Sequence, residues 1–106
     1  MYSTGFAMTL RPGAFAEYKR AHDDPWPELL QDMEARGISM AIFRDGERLI
    51  VHAVAASQSD WEQNRETAAL AKWHDYMATL LETDALGNIA VEELPEAFAY
   101  GLFRED

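Results

Sequence analysis

The chain has 106 residues, with 19 Asp and Glu against 9 Lys and Arg, for a formal net charge of −10. That length suits one compact domain, expected over residues 1–106, and 48% hydrophobic with 26% charged residues excludes a disordered or collagen-like chain. The acidic balance argues against nucleic-acid and anionic-membrane partners, because both need clustered Lys and Arg.

Cysteine is absent. Disulfides, thiolate zinc sites and a cysteine nucleophile are therefore excluded. Residues 1–6 contain no basic region leading into an apolar run, and no stretch approaches the roughly 18 apolar residues of a spanning helix. The expectation is a cytoplasmic protein.

In chain order, Phe6, Met8 and Leu10 alternate with smaller or polar residues, which predicts a strand over residues 2–11, ended by Pro12-Gly13. A short helix follows over residues 14–22, with Ala14, Tyr18 and His22 along one face. Asp24 is the expected N-cap of a second helix, with Pro25 in its first turn and the stripe Trp26, Leu29, Leu30, Met33. Gly37 is the expected left-handed residue closing that helix. Residues 38–44 and 47–56 read as two strands around Asp45-Gly46, a strong hairpin signal. The second arm is apolar on both faces, so it needs cover on both sides. Ser59 with Glu62 has capping-box spacing. Thr67 opens a longer helix running to about residue 82, with Ala69, Trp73, Tyr76, Met77 and Leu80 as its stripe. The tail divides at Pro95 into an extended arm and a final strand over residues 97–103. The order β-α-α-β-β-α-β predicts an α+β, ferredoxin-like fold with helices on one face of an antiparallel sheet.

The three histidines, His22, His52 and His74, are the residues most able to move a proton near neutral pH. Tyr18, His22 and Trp26 meet near the end of the first helix, either as a small polar pocket with a stacking wall or as an amphipathic surface. Trp73 lies on the apolar stripe of the long helix, where core and pocket wall are both open to it. His74, between Lys72 and Asp75, falls at a boundary between faces. His52 shares a strand face with Ile50 and Val54 and reads as a hydrogen-bonded core histidine. No pair of histidines has helical ligand spacing, so no metal site is expected. No phosphate-binding glycine loop or nucleophile elbow is present.

Phe6-x-Met8, Pro12-Gly13, Glu17-Tyr18-Lys19-Arg20-x-His22-Asp23 and Trp26-Pro27-Glu28-Leu29 together resemble the N-terminal signature of the L-rhamnose mutarotase family. Gly37-Ile38, Lys72-Trp73 and Tyr76-Met77 agree with it, so the resemblance covers about residues 5–82. It implies a ferredoxin-like protomer, a homodimer whose sheets pair into a dimeric α/β barrel, no cofactor, and interconversion of the α and β anomers of a deoxy-sugar. The family's proton-donor histidine falls on His22 and its substrate-binding tyrosine on Tyr18. A further binding tyrosine falls on Met40, and the family's paired tryptophans fall on Trp73-His74. With Trp26, these are the candidate site residues. The loop 83–89 departs from the family's pattern, and His52 stands where a small apolar residue is expected.

The residues suit that chemistry. Anomerisation moves one proton onto the ring oxygen and removes another from the anomeric hydroxyl, which an imidazole can serve. An aromatic wall and polar contacts suit a monosaccharide. Two other readings stay open: a cofactor-independent oxygenase or cyclase on the same dimeric scaffold, and a non-catalytic sugar-binding module.

Overall fold

The computed structural model describes residues 1–104. Strand β1 (Tyr2–Thr9) leads to helices α1 (Phe15–Asp23) and α2 (Pro27–Ala35). The hairpin β2 (Ser39–Asp45) and β3 (Arg48–Ala55) follows, then helices α3 (Gln58–Arg65) and α4 (Ala68–Met77) and the two-residue strand β4 (Glu92–Glu93). The sheet is antiparallel with strand order β2-β3-β1-β4. It is the expected α+β, ferredoxin-like arrangement.

Registers assign the faces. Phe6 pairs with Val51 and Ile42 pairs with the same Val51. Thus Tyr2, Thr4, Phe6 and Met8 share one face with the buried Leu49, Val51, Ala53 and Ala55. The helices cover that face. Trp61 of α3 packs on Tyr2 and Phe6 at centroid distances of 6.5 and 6.4 Å. The opposite face carries Ile50, His52 and Val54, half-buried, beside Phe43, which is 68% exposed. The expectation that β3 is apolar on both sides therefore holds, with cover from this chain concentrated on one.

Several boundaries move for local reasons. The second helix starts at Pro27 and not at Pro25, and its N-cap is Trp26 and not Asp24. Pro27 pushes Trp26 into extended backbone (φ −62°, ψ 135°), so no helix can run through it. Gly37 closes α2 as expected, with φ +62°. Its N–H donates to the Glu34 carbonyl and that of Ile38 to Met33, at 3.2 and 2.9 Å, a Schellman closure. The hairpin loop is Gly46-Glu47, one residue later than expected, because Asp45 still pairs with Arg48. Only Gly46 has positive φ (+61°), which suits a type II′ turn.

The cap of α3 is Ser57 rather than Ser59. Ser57 Oγ accepts from the Asp60 N–H at 3.0 Å and donates to Asp60 Oδ2 at 2.8 Å. Thr67 does open α4, its side chain accepting from the Leu70 N–H at 3.3 Å. That helix ends at Met77, short of residue 82, and the chain after it runs along the end of β1. There Leu10 and Leu81 form a bridge and are each 1% exposed. The expected final strand over residues 97–103 does not form. The Leu94 N–H makes the last ladder bond to β1, to the Gly5 carbonyl at 3.0 Å, and Pro95 then has no donor to continue it. Residues Gly101–Phe103 form a 3-10 turn instead.

Candidate active site

Between the helix-covered face of the sheet and helices α1, α2 and α4 lies a cavity of about 730 Å³. That volume falls within the roughly 300–1,000 Å³ of small-molecule clefts. Tyr18, His22, Met40, Trp73 and His74 all line it. Helical spacing puts Tyr18 and His22 one turn apart on the inner face of α1, and strand alternation turns Met40 and Ile42 of β2 toward the same space. Trp26 is placed differently. It packs edge-on against Trp73 at 5.1 Å and stacks on Tyr76 at 6.4 Å, behind the wall and not among the lining residues.

The Tyr18 and His22 rings stack at 4.0 Å, and Trp73 meets His22 edge-on at 5.2 Å. His22 Nδ1–H donates to the Tyr18 carbonyl oxygen at 2.8 Å. A carbonyl can only accept, so Nδ1 carries the proton and the neutral ring keeps its lone pair on Nε2. Among the described residues no group bonds Nε2, and no buried side-chain nitrogen or oxygen lacks a partner. Nε2 is therefore reachable from the cavity. The same argument opens the Tyr18 hydroxyl, which has no partner among the described residues although Tyr18 is only 4% exposed.

Burial sets the electrostatics. It lowers the His22 pKa below its ordinary 6.5, only partly opposed by the Tyr18 carbonyl bond and Asp23. It also raises the Tyr18 phenol to about 12, so the hydroxyl stays a donor at neutral pH. His74 is lowered by burial and then by the Arg65 cation, with Asp75 pulling the other way. The site thus presents two neutral imidazoles, a protonated phenol and an indole face.

His52 lies on the opposite face of the sheet. Its Nε2 pairs with Ser3 Oγ at 2.9 Å and its ring meets Phe103 edge-on at 4.9 Å. It is hydrogen-bonded, as expected, and takes no part in the cavity. Among the described residues no group of three His, Asp or Glu side chains could hold a metal ion. No helix there is long and apolar enough to cross a membrane. Sequence reasoning did not single out Arg65, at the end of α3, which also lines the cavity. Its place follows from how α3 lies on the sheet, and no motif marks it.

Fold and site together define an α+β protein with an aromatic-walled, imidazole-bearing cavity of small-molecule size. The family model for L-rhamnose mutarotase matches residues 3–100. The chain belongs to the L-rhamnose mutarotase family, isomerases that act on carbohydrates. It is 37% identical over 101 residues to the L-rhamnose mutarotase of Burkholderia orbicola, covering 92% of this chain and 97% of that one. The Bacteroides thetaiotaomicron L-rhamnose mutarotase is 33% identical with the same coverage. Among solved structures, L-rhamnose mutarotase from Formosa agariphila superposes with a TM-score of 0.79 at 26% identity, covering 95% of this chain and all of that one. A Nitrosomonas europaea protein assigned to the antibiotic biosynthesis monooxygenases matches at a TM-score of 0.64 and 16% identity, over 92% of this chain and all of that one. That second likeness is one of fold alone.

Proposed function

We propose that this chain is an aldose mutarotase acting on L-rhamnose or a related deoxy-sugar, with His22 as its acid/base. The observation that carries the reading is the Nδ1–H bond from His22 to the Tyr18 carbonyl, which leaves Nε2 free at the cavity. Ring opening breaks the C1–O5 bond, removes a proton from O1 and supplies one to O5. Neutral His22 accepts the O1 proton at Nε2 and returns it to O5 as the bond breaks. The Tyr18 hydroxyl donates a hydrogen bond to the developing charge. The aldehyde turns about C1–C2, and the same steps in reverse close the ring on the other face. Lowering the barrier by about 4 kcal/mol gives roughly a thousandfold in rate, within reach of one placed acid/base and a donor.

In this reading Trp73 is the stacking wall, buttressed by Trp26, while His74 and Met40 contact the sugar's substituents. The homodimer belongs to it as well. Phe43 is 68% exposed beside the half-buried Ile50 and Val54, an apolar sheet face that a second copy would cover. A cytoplasmic location is part of the same reading, supported by the cysteine-free composition. Saturation-transfer NMR on L-rhamnose, L-fucose and D-glucose tests the activity. Faster exchange of at least one sugar, reduced at least tenfold by His22→Ala, is the expected result. Unchanged exchange rates for all three sugars overturn the proposal, and binding without acceleration identifies a sugar-binding module instead.

A further inference from the structure

The part of the cavity wall made by the end of α3 carries a cation with no counter-ion among the described residues. Arg65 lines the cavity, yet no hydrogen bond or ion pair joins its guanidinium to any described residue. Carboxylates are not in short supply, at 19 against 9 basic residues. The other two cations at the cavity are both paired, Lys19 with Asp23 and Arg44 with Glu47. Asp75 also lines the cavity but makes no ion pair with Arg65.

Aromatic faces hold the side chain in place. The guanidinium carbon lies 5.1 Å from the Trp61 ring centroid and 6.0 Å from that of Phe6. Such contacts orient an arginine without neutralising it, so its N–H fork is left for something else. His74 lines the same cavity and is kept neutral by burial first and by the Arg65 charge second, with a ring N–H still to donate. A planar fork beside a neutral imidazole matches a carboxylate, which accepts two parallel N–H bonds from arginine.

We propose that the Arg65–His74 corner of the cavity binds a carboxylate on the sugar, so that the protein also accelerates anomer exchange of hexuronic acids. In these sugars a carboxylate stands where a 6-deoxy sugar carries its methyl group. The inference rests on the mutarotase reading and extends its substrate class. The chemistry at C1, O1 and O5 is unchanged, and Arg65 touches only the far end of the substrate.

Matched pairs differing only at that carbon test it: D-galacturonate with D-fucose, D-glucuronate with D-quinovose, and D-mannuronate with D-rhamnose. L-rhamnose serves as the reference for mutarotase activity itself. Anomer-exchange kcat/KM is measured by NMR for the wild type, Arg65→Gln and Arg65→Lys, with thermal melts as the check on folding. In at least one pair the wild type is expected to favour the acid, and Arg65→Gln to lower the acid-to-deoxy ratio at least tenfold, with partial recovery in Arg65→Lys. Acceleration of L-rhamnose or a deoxy-sugar with no acid accelerated overturns this inference and leaves the mutarotase reading standing. An acid-to-deoxy ratio that Arg65→Gln does not change overturns it equally. No acceleration of any sugar, L-rhamnose included, overturns both.

Discussion

His22 and Tyr18 are joined twice: Nδ1–H donates to the Tyr18 carbonyl at 2.8 Å, and the two rings stack at 4.0 Å. The first contact selects the tautomer and the second fixes the ring plane, so Nε2 is aimed by α1 itself. Proton uptake from O1 needs that nitrogen unprotonated. Burial puts the His22 pKa below 6.5, so kcat/KM for anomer exchange should be flat around neutrality and fall only on the acid side of 6.5. A pH profile of the exchange rate checks this, and His22→Gln should be slow and lack that acid limb.

Tyr18→Phe keeps the buried ring and its stacking but removes the hydroxyl. Exchange should slow about tenfold, the effect of losing one hydrogen bond to developing charge, about 1.4 kcal/mol. Because no hydrogen bond joins the hydroxyl to any described residue, stability should change by less than about 1 kcal/mol, read from urea denaturation. With the phenol at about 12, no Tyr18-dependent loss should appear below pH 10.

Stability should depend on pH through the same histidines. His22 and His74 both have folded-state pKa values below the ordinary 6.5. Between the folded and unfolded values the unfolded chain binds more protons, so stability rises with pH there. Their contribution is complete above pH 6.5 and is lost as pH falls through the lowered values. The melting temperature should drop from pH 7 to pH 5.5, and the drop should be smaller in the His22→Gln/His74→Gln double variant.

Trp73 joins site and core. It is 8% exposed and meets His22, Trp26 and Tyr76 edge-on, at 5.2, 5.1 and 5.9 Å. Trp73→Ala should cost about 3–5 kcal/mol in denaturant unfolding. Trp73→Phe, which keeps an aromatic face, should cost less in stability and still weaken sugar binding, seen as a raised KM.

Met40 offers the opposite kind of change. It is 41% exposed on β2 and faces the cavity, with room for a larger side chain. Met40→Tyr adds a hydroxyl at that wall, and the KM for L-rhamnose should fall severalfold with little change in melting temperature. An unchanged KM would separate this position from the sugar.

Helices α1, α2 and α4 and the β2–β3 hairpin were legible in the sequence because local rules govern them. The three-to-four-residue spacing of Tyr18 with His22 and of Trp73 with Met77 marks inner helix faces. Gly37 closes α2 because a left-handed residue must follow it, and Asp45-Gly46 marks the turn to within one residue. The choice between neighbouring caps, Trp26 over Asp24 and Ser57 over Ser59, was not legible. Ser57 and Ser59 have the same capping chemistry, while Asp24 has it and Trp26, which makes no side-chain cap bond, does not; in both cases the backbone approach to the helix decides. The final strand failed for a non-local reason: pairing with β1 stops at Leu94, and whether an apolar tail finds an edge is not encoded in its own alternation.

The sequence by itself marked the family through its N-terminal motifs, and it determined the inner face of α1 with Tyr18 and His22 and the indole wall of α4, since periodicity along one element is enough to align these two faces. Only the tertiary structure decided that Trp26 stands behind that wall, that His52 belongs to the other face of the sheet, and that Arg65 reaches the cavity with no counter-ion among the described residues. Those outcomes depend on how separate elements cross, and therefore on contacts between residues far apart in the chain, to which no local pattern answers.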